Sequence, residues 1–197
     1  MHSESHYERA RPKVRRRLTS CFLLVLFAGL ASPRLTLGQE EVPQEYQVKA
    51  AFLFNFAKFV GWPATAFAND KAPIVVCVYG KDPFGTALED IVRGKTIGAR
   101  SFVVQRPKTS SGLASCQIAF LGDLQDDPLR DLLLRLDASP VLSVGEAPHF
   151  AEQGGDIQFV IENGRIRFLI NQDSINRASF KMSSKLLALA RLVHDPK

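Results

Sequence analysis

The sequence lacks the motifs that carry most enzyme chemistry. It contains no Gly-x-Ser-x-Gly turn, no His-Glu-x-x-His helix, no Gly-x-Gly-x-x-Gly fingerprint and no phosphate-binding loop. Its histidines, cysteines and carboxylates show none of the spacings typical of metal ligands. Only two of the four histidines, His149 and His194, lie beyond residue 38. We therefore expect no catalytic residues, no metal and no cofactor.

The sequence also lacks an apolar run of the roughly 20 residues that a membrane-spanning helix needs. The apolar run at residues 21–31 is shorter, and six basic residues precede it between positions 9 and 17. A basic segment followed by such a run is the layout of a secretory signal peptide. Small residues at Thr36 and Gly38 suggest cleavage before Gln39. The sequence thus predicts an exported protein, with an uncleaved N-terminal anchor as the alternative.

The positive charge of the chain belongs to this N-terminal segment. The chain has 25 lysines and arginines against 20 aspartates and glutamates. Seven of the basic and two of the acidic residues lie in residues 1–38, which leaves 18 of each in residues 39–197. A balanced charge removes the main argument for nucleic acid or an anionic membrane as a partner. The length of residues 39–197 is that of one domain.

Cysteine is scarce, with three in the chain, and Cys21 lies in the predicted signal peptide. In an exported protein the remaining pair, Cys77 and Cys116, indicates a disulfide, with two buried free thiols as the alternative. A bridge requires the two Cα atoms to lie within about 7 Å, so the strands that carry them would be neighbours or nearly so. Neither cysteine belongs to a Cys-x-x-Cys motif, which argues against redox catalysis.

Residues 43–62 predict an apolar N-terminal helix. Gln47, Asn55 and Lys58 form a narrow polar stripe, and apolar side chains cover most of the remaining surface. A helix that is apolar most of the way round is buried on more than one side. We expect it to pack under a sheet, with a partner surface as the alternative.

Strands then alternate with helices, which predicts an α/β fold with a mostly parallel sheet, flanking helices and right-handed crossovers. Two helices are expected to start at Asp-Pro pairs, 82–83 and 127–128. The predicted strands cover residues 74–79, 101–105, 116–121 and 140–144. Gly80, Gly122 and Gly145 lie at strand ends, where open α/β sheets bind ligands. This edge is a candidate pocket, although ordinary turn glycines are the favoured interpretation.

Residues 154–193 predict an antiparallel hairpin and a closing helix. Asn163-Gly164 supplies the two-residue turn between alternating apolar strands. The closing helix would begin at Ser183-Ser184 and place its apolar residues on one face, namely Leu186, Leu187, Ala190 and Val193.

A polar cluster lies between these elements, formed by Asn171, Lys181, Ser183, Ser184 and Lys185. Pattern alone favours helix capping and hairpin exit for these residues.

The order and spacing of several short motifs together resemble the YfiR family of periplasmic proteins. The resemblance runs from about Tyr46 to Val193, nearly all of the predicted mature chain. The motifs that carry it are Phe-Val-Gly-Trp-Pro at 59–63, Val-Cys-Val-Tyr-Gly at 76–80 with Asp-Pro-Phe at 82–84, Cys-Gln-Ile-Ala-Phe at 116–120, Val-Leu-Ser-Val at 141–144, Phe150, Gly-Gly at 154–155, Arg-Phe at 167–168 leading to Asn171, and Ser-Ser-Lys-Leu-Leu at 183–187.

The resemblance implies a periplasmic regulator and not an enzyme. Such proteins bind the periplasmic sensor domain of an inner-membrane diguanylate cyclase and repress cyclic-di-GMP synthesis. The resemblance also implies a homodimer, and release of the cyclase through an outer-membrane, peptidoglycan-binding lipoprotein or through redox damage. Cys77 and Cys116 match the core disulfide of the family. Some relatives carry a second cysteine pair flanking the Gly-Gly, where this chain has Ala151 and Gln158.

The resemblance also shifts the interpretation of the polar cluster towards a ligand or partner site. The leading hypothesis for function is repression of a diguanylate cyclase. The alternative is a periplasmic small-ligand-binding sensor module of a signalling system, with the glycine-bearing strand ends or the polar cluster as its pocket.

Overall fold

A computed structural model of the chain describes residues 42–124 and 126–196, so the predicted signal peptide at 1–38 lies outside the described residues. Two short 3-10 helices, Ala64–Ala66 and Ser110–Ser115, accompany the main elements. These are, in chain order, α1 (Gln44–Phe59), β1 (Val60–Gly61), β2 (Ile74–Gly80), α2 (Ala87–Val92), β3 (Thr96–Ile97), β4 (Arg100–Gln105), β5 (Ile118–Gly122), α3 (Asp126–Leu136), β6 (Leu142–Gly145), β7 (Ile157–Glu162), β8 (Arg165–Asn171), α4 (Gln172–Arg177), β9 (Lys181–Met182), α5 (Ser184–Leu187) and β10 (Arg191–Val193).

Eight of the described strands form one sheet in the order β10-β8-β7-β6-β5-β2-β4-β3. The central strands β4, β2, β5, β6 and β7 are parallel. The β7–β8 hairpin is antiparallel, and the φ angles of Asn163 and Gly164 are +52° and +69°, as its tight turn requires. The mostly parallel sheet, its flanking helices and the hairpin confirm the predicted fold class.

The sheet buries both faces, because alternate residues of its central strands point to opposite sides. The larger core lies under α1 and α2, where Phe56 of α1 packs between Phe159 and Phe168 with ring centroids 5.8 and 5.2 Å away. The smaller core lies on the other face and includes Leu129 of α3 and Phe150. Within residues 42–124 and 126–196, no helix combines the length and apolarity needed to span a membrane.

The predicted closing helix is wrong beyond Leu187. The helix α5 has only four residues, and Arg191–Val193 form β10, parallel to β8. The apolar spacing fits both structures, but a strand here satisfies backbone groups along the outer edge of β8. These backbone hydrogen bonds join strands that are distant in the chain, so the local pattern that predicted the helix does not reveal them.

Two further helices differ from expectation. The helix α2 begins at Ala87 and not at Pro83, because the Asp82 carboxylate accepts a hydrogen bond from the backbone N–H of Phe84 (2.8 Å) and forms a separate turn. The helix α4 was not predicted, since its residues, Gln172–Arg177, are mostly polar and too few to display an apolar period.

Cys77 and Cys116 are joined by a disulfide bond with a Cα–Cα distance of 6.0 Å. Cys77 lies in β2 and Cys116 lies two residues before β5, and these two strands are neighbours in the sheet. Both cysteines are buried in the smaller core. The disulfide therefore ties together the two central strands and closes a loop of about 40 residues.

We expect a Cys77→Ala/Cys116→Ala double variant to lose about 4 kcal/mol of unfolding free energy, because the loop closure no longer limits the entropy of the unfolded chain. Urea unfolding monitored by circular dichroism measures this loss. A reductant should lower the stability of the wild-type protein and leave that of the variant unchanged. A loss below about 1 kcal/mol would contradict the loop-entropy account.

Candidate functional site

The carboxyl ends of β2 and β5 form a topological switch point. After β2 the chain adds β4 on one side, and after β4 it returns to add β5 on the other side of β2. Leu88 of α2 belongs to the larger core and Leu132 of α3 to the smaller one, so the two helices cover opposite faces. In open α/β sheets, ligands bind in the crevice that opens at such a point.

Close packing of these strand ends requires the glycines there. A Cβ atom on Gly80, whose φ is +87°, would lie 2.1 Å from the carbonyl oxygen of Gly122. A Cβ atom on Gly122 would lie 2.0 Å from the carbonyl oxygen of Lys81. At Gly145 it would lie 2.4 Å from the ring of Phe150. The glycines therefore serve turns and packing, as the favoured interpretation had it, and a ligand at this edge would contact the residues around them.

A crevice of about 420 Å³ lies at this edge. Its wall is built from the loops after β2, β5 and β6 and from the first turn of α1. We call it the switch-point crevice, lined by Tyr46, Lys81, Pro83, Gly122, Asp123, Leu124, Glu146, Ala147 and Pro148.

A buried ammonium group lies beside the crevice. Lys49 of α1 is only 3% exposed and forms salt bridges with both Glu45 and Glu146. Its Nζ lies 4.5 Å from the centre of the Tyr46 ring, and the Tyr46 hydroxyl donates a hydrogen bond to Oε1 of Glu146 (3.1 Å). Two carboxylates therefore share one internal cation, which leaves this group with a net negative charge.

The electrostatics keep both donors of this group protonated. Burial lowers the pKa of Lys49, but its hydrogen bonds to Glu146 and Glu45 outweigh burial and raise the pKa overall. Burial, followed by the nearby Glu146 charge, raises the pKa of Tyr46. At neutral pH, Lys49 remains a cation and Tyr46 remains a hydroxyl donor, so neither supplies a base.

Sequence reasoning missed these residues. Lys49 interrupts the apolar surface of α1, and its i, i+4 spacing from Glu45 was a local signal of an ion pair. Glu146 is 97 residues further along the chain, so its contact with Lys49 follows only from the fold.

The structure gives Asn171 surroundings unlike those of the rest of the polar cluster. Asn171 is fully buried, and its side-chain oxygen accepts hydrogen bonds from the N–H groups of Asp173 and Ser174 at the start of α4. Its amide nitrogen donates to the carbonyl of Ala151 and to the carboxylate of Asp195, at 2.7 Å each. Asn171 therefore caps a helix and holds the chain around it.

The other four residues of the cluster are close together in the chain and lie at or near the surface. Lys181 pairs with Gly61 in the β1–β9 ladder, and the Ser183 hydroxyl caps α5 by accepting from the N–H of Leu186 (3.2 Å). Lys181, Ser184 and Lys185 are exposed. Capping thus accounts for Asn171 and Ser183, whereas the two lysines have no acidic partner within 4 Å among the described residues.

A buried carboxylate lies next to Asn171. One oxygen of Asp156 accepts hydrogen bonds from the backbone N–H and the hydroxyl of Ser143, both at 2.7 Å, and its other oxygen accepts from the Ser174 hydroxyl. Burial raises the pKa of Asp156 above its usual 3.8, while these hydrogen bonds act in the opposite direction. This network joins β6, β7 and α4.

Residues 46–191 match the model of a protein family described as YfiR/HmsC-like. The matched segment includes the residues that line the switch-point crevice, the disulfide and the whole polar cluster.

Asp156 makes stability depend on pH. Because its pKa is raised in the folded state, the stability that protonation contributes is present below about pH 4 and is lost as the pH rises through the folded-state pKa. We expect the unfolding free energy of the wild-type protein, measured relative to Asp156→Asn, to fall as the pH rises above about 4. Urea unfolding at several pH values measures this, with the exposed Asp70→Asn variant as the control. A difference that rises over this range would contradict a raised pKa.

Proposed function

The chain belongs to the YfiR/HmsC-like family, and on this premise we propose that it represses an inner-membrane diguanylate cyclase by binding the periplasmic domain of that enzyme. Proteins of this family are periplasmic, non-catalytic regulators of cyclic-di-GMP signalling. The match over residues 46–191 is the observation that carries the proposal. Titration calorimetry with the cyclase domain, described below, tests the cyclase as partner.

Repression requires differential affinity. The protein lowers cyclic-di-GMP synthesis only if it binds the inactive conformation of the cyclase more tightly than the active one, because equal affinity for both leaves their populations unchanged. Catalysis in the regulator itself is not needed for this. The number of docked copies then sets the output on the other side of the membrane.

We propose that docking uses a C-terminal face, formed by Lys181, Lys185, Leu189 and Leu192. Leu189 and Leu192 are 67% and 41% exposed, although both are large apolar residues. Two exposed cations, Lys181 and Lys185, accompany them. Exposed leucines bordered by cations fit a partner surface that is apolar at its centre and acidic at its rim.

Two further partners belong to the same proposal. The first is a second copy of the chain, forming a homodimer. The second is an outer-membrane, peptidoglycan-binding lipoprotein that releases the cyclase by sequestering the regulator. Both are supported by the resemblance to the family.

A sensor module for a small ligand is the second candidate function. The observation that favours it is the switch-point crevice, since it has the location at which open α/β sheets bind small molecules. In this function, occupancy of the crevice would change the affinity of the protein for its signalling partner.

We expect the protein to bind the purified periplasmic domain of its cognate cyclase. A Lys181→Gln/Lys185→Gln double variant should bind about tenfold more weakly, because it loses two charges that face the acidic rim of the partner. Titration calorimetry measures both affinities. The matched control is Lys95→Gln/Lys108→Gln, whose exposed lysines flank the opposite edge of the sheet. Equal binding by both double variants would rule out the C-terminal face, and absence of binding by the wild-type protein would rule out this partner.

Reduction of the disulfide should also weaken docking. Cys77 and Cys116 hold the central strands, so their reduction lowers the population of the folded protein that presents the docking face. The same calorimetric titration, performed on oxidised and on reduced protein near its unfolding temperature, measures the effect. Unchanged affinity at a temperature where reduction unfolds part of the sample would contradict this expectation.

A further inference from the structure

We propose that the switch-point crevice binds a small organic ammonium ion, that is, a protonated amine carried on a short carbon chain. This inference rests on the second candidate function, ligand sensing, and names the chemical class of the ligand. It does not require that the protein represses a cyclase.

The charge of the crevice favours a cation. Three carboxylates, Glu45, Glu146 and Asp123, lie in or beside it, against two ammonium groups, Lys49 and Lys81. Lys81 is paired with Asp123 at the rim, with 3.9 Å between Nζ and Oδ2. The unbalanced negative charge therefore lies with Glu45 and Glu146, at the α1 side of the crevice.

Glu146 retains acceptor capacity for a ligand. A carboxylate offers about four lone-pair positions, and those used within the described residues are one for the Tyr46 hydroxyl and one for Lys49. The side chain of Glu146 is 27% exposed, so its free positions are accessible from the crevice. An ammonium ion donates three N–H groups and would supply a second positive charge to Glu45 and Glu146, which share the single charge of Lys49.

The chain itself contains an example of this recognition. The Lys49 ammonium contacts Glu146 and lies 4.5 Å from the centre of the Tyr46 ring. A carboxylate beside an aromatic ring is a combination that binds alkylammonium groups, since the negative face of the ring adds to the attraction. Tyr46 and Glu146 both line the crevice, so a second ammonium group bound there would share the Glu146 carboxylate with Lys49, which already lies over the Tyr46 ring.

The same groups disfavour an anionic ligand. An anion placed near Tyr46 would meet the Glu146 carboxylate, and the lysine of the lining, Lys81, lies at the exposed rim, where it is already paired with Asp123. A ligand with an ammonium group at one end is thus favoured over a dicarboxylate of the same length.

Three probes of equal carbon-chain length test the class of ligand: putrescine, which is a diammonium ion, 1,4-butanediol, which is neutral, and succinate, which is a dianion. Titration calorimetry at low ionic strength measures their binding to the purified protein. We expect binding of putrescine and no measurable binding of the other two. Binding of succinate or butanediol at least as tight as that of putrescine would overturn the inference and leave ligand sensing in place.

Variants locate the site. We expect Glu146→Gln to weaken putrescine binding about tenfold or more, because a charge-assisted hydrogen bond is lost. Asp123→Asn should weaken putrescine binding less, since Asp123 lies at the exposed rim. Because this variant keeps both salt bridges of Lys49, it still tests the site if Glu146→Gln fails to fold. The control is Asp70→Asn, in an exposed loop before the amino end of β2.

Putrescine binding that none of these substitutions changes would place the site elsewhere and overturn the inference. Absence of binding by all three probes would also overturn it. In that case a thermal-shift screen against a panel of neutral and anionic metabolites tests the sensor function separately. A compound of another class that stabilises the protein would support that function.

Discussion

The close approach of two strand ends is the constraint on which the rest of the structure depends. At the carboxyl edge of the sheet, β2 and β5 come so near that only glycine fits at Gly80 and Gly122, and the Lys81 N–H donates to the Gly122 carbonyl across the gap (3.2 Å). The disulfide between Cys77 and Cys116 holds the same two strands from within the smaller core. Because the chain reverses its direction of sheet growth between these strands, their junction also opens the switch-point crevice.

The helix α1 connects the two surfaces to which we assign function. Its first turns carry Tyr46 and Lys49 at the crevice. At its other end, the Phe59 carbonyl accepts a hydrogen bond from the Ser183 N–H (3.0 Å), and β1 pairs with β9, which carries Lys181. The tightly packed apolar body of the helix is anchored on the sheet by Phe56. The crevice and the C-terminal face are therefore both in contact with one helix.

The polar cluster shows which contacts a local sequence pattern can predict. Ser183 could be predicted as a helix cap because capping involves residues only a few positions apart, and the structure has this cap. Whether Asn171 lies beside Lys181 and Lys185 could not be predicted from residues only a few positions apart. Asn171 is buried against Ala151 and Asp195, residues 20 and 24 positions distant, whereas Lys181 and Lys185 point outward from another part of the fold.

The sequence by itself determined the α/β class, the buried parallel strands, the Asn163-Gly164 hairpin and the candidate cysteine pair, because short-range turn chemistry, apolar runs and cysteine count express these features directly. Only the tertiary structure decided that Arg191–Val193 become a strand, since the open edge of β8 offers backbone partners that a local pattern does not contain. It alone also brought Glu146 to Lys49 and Tyr46. Electrostatic groups of this kind form between residues distant in the chain, and their energy depends on burial that only the folded chain creates.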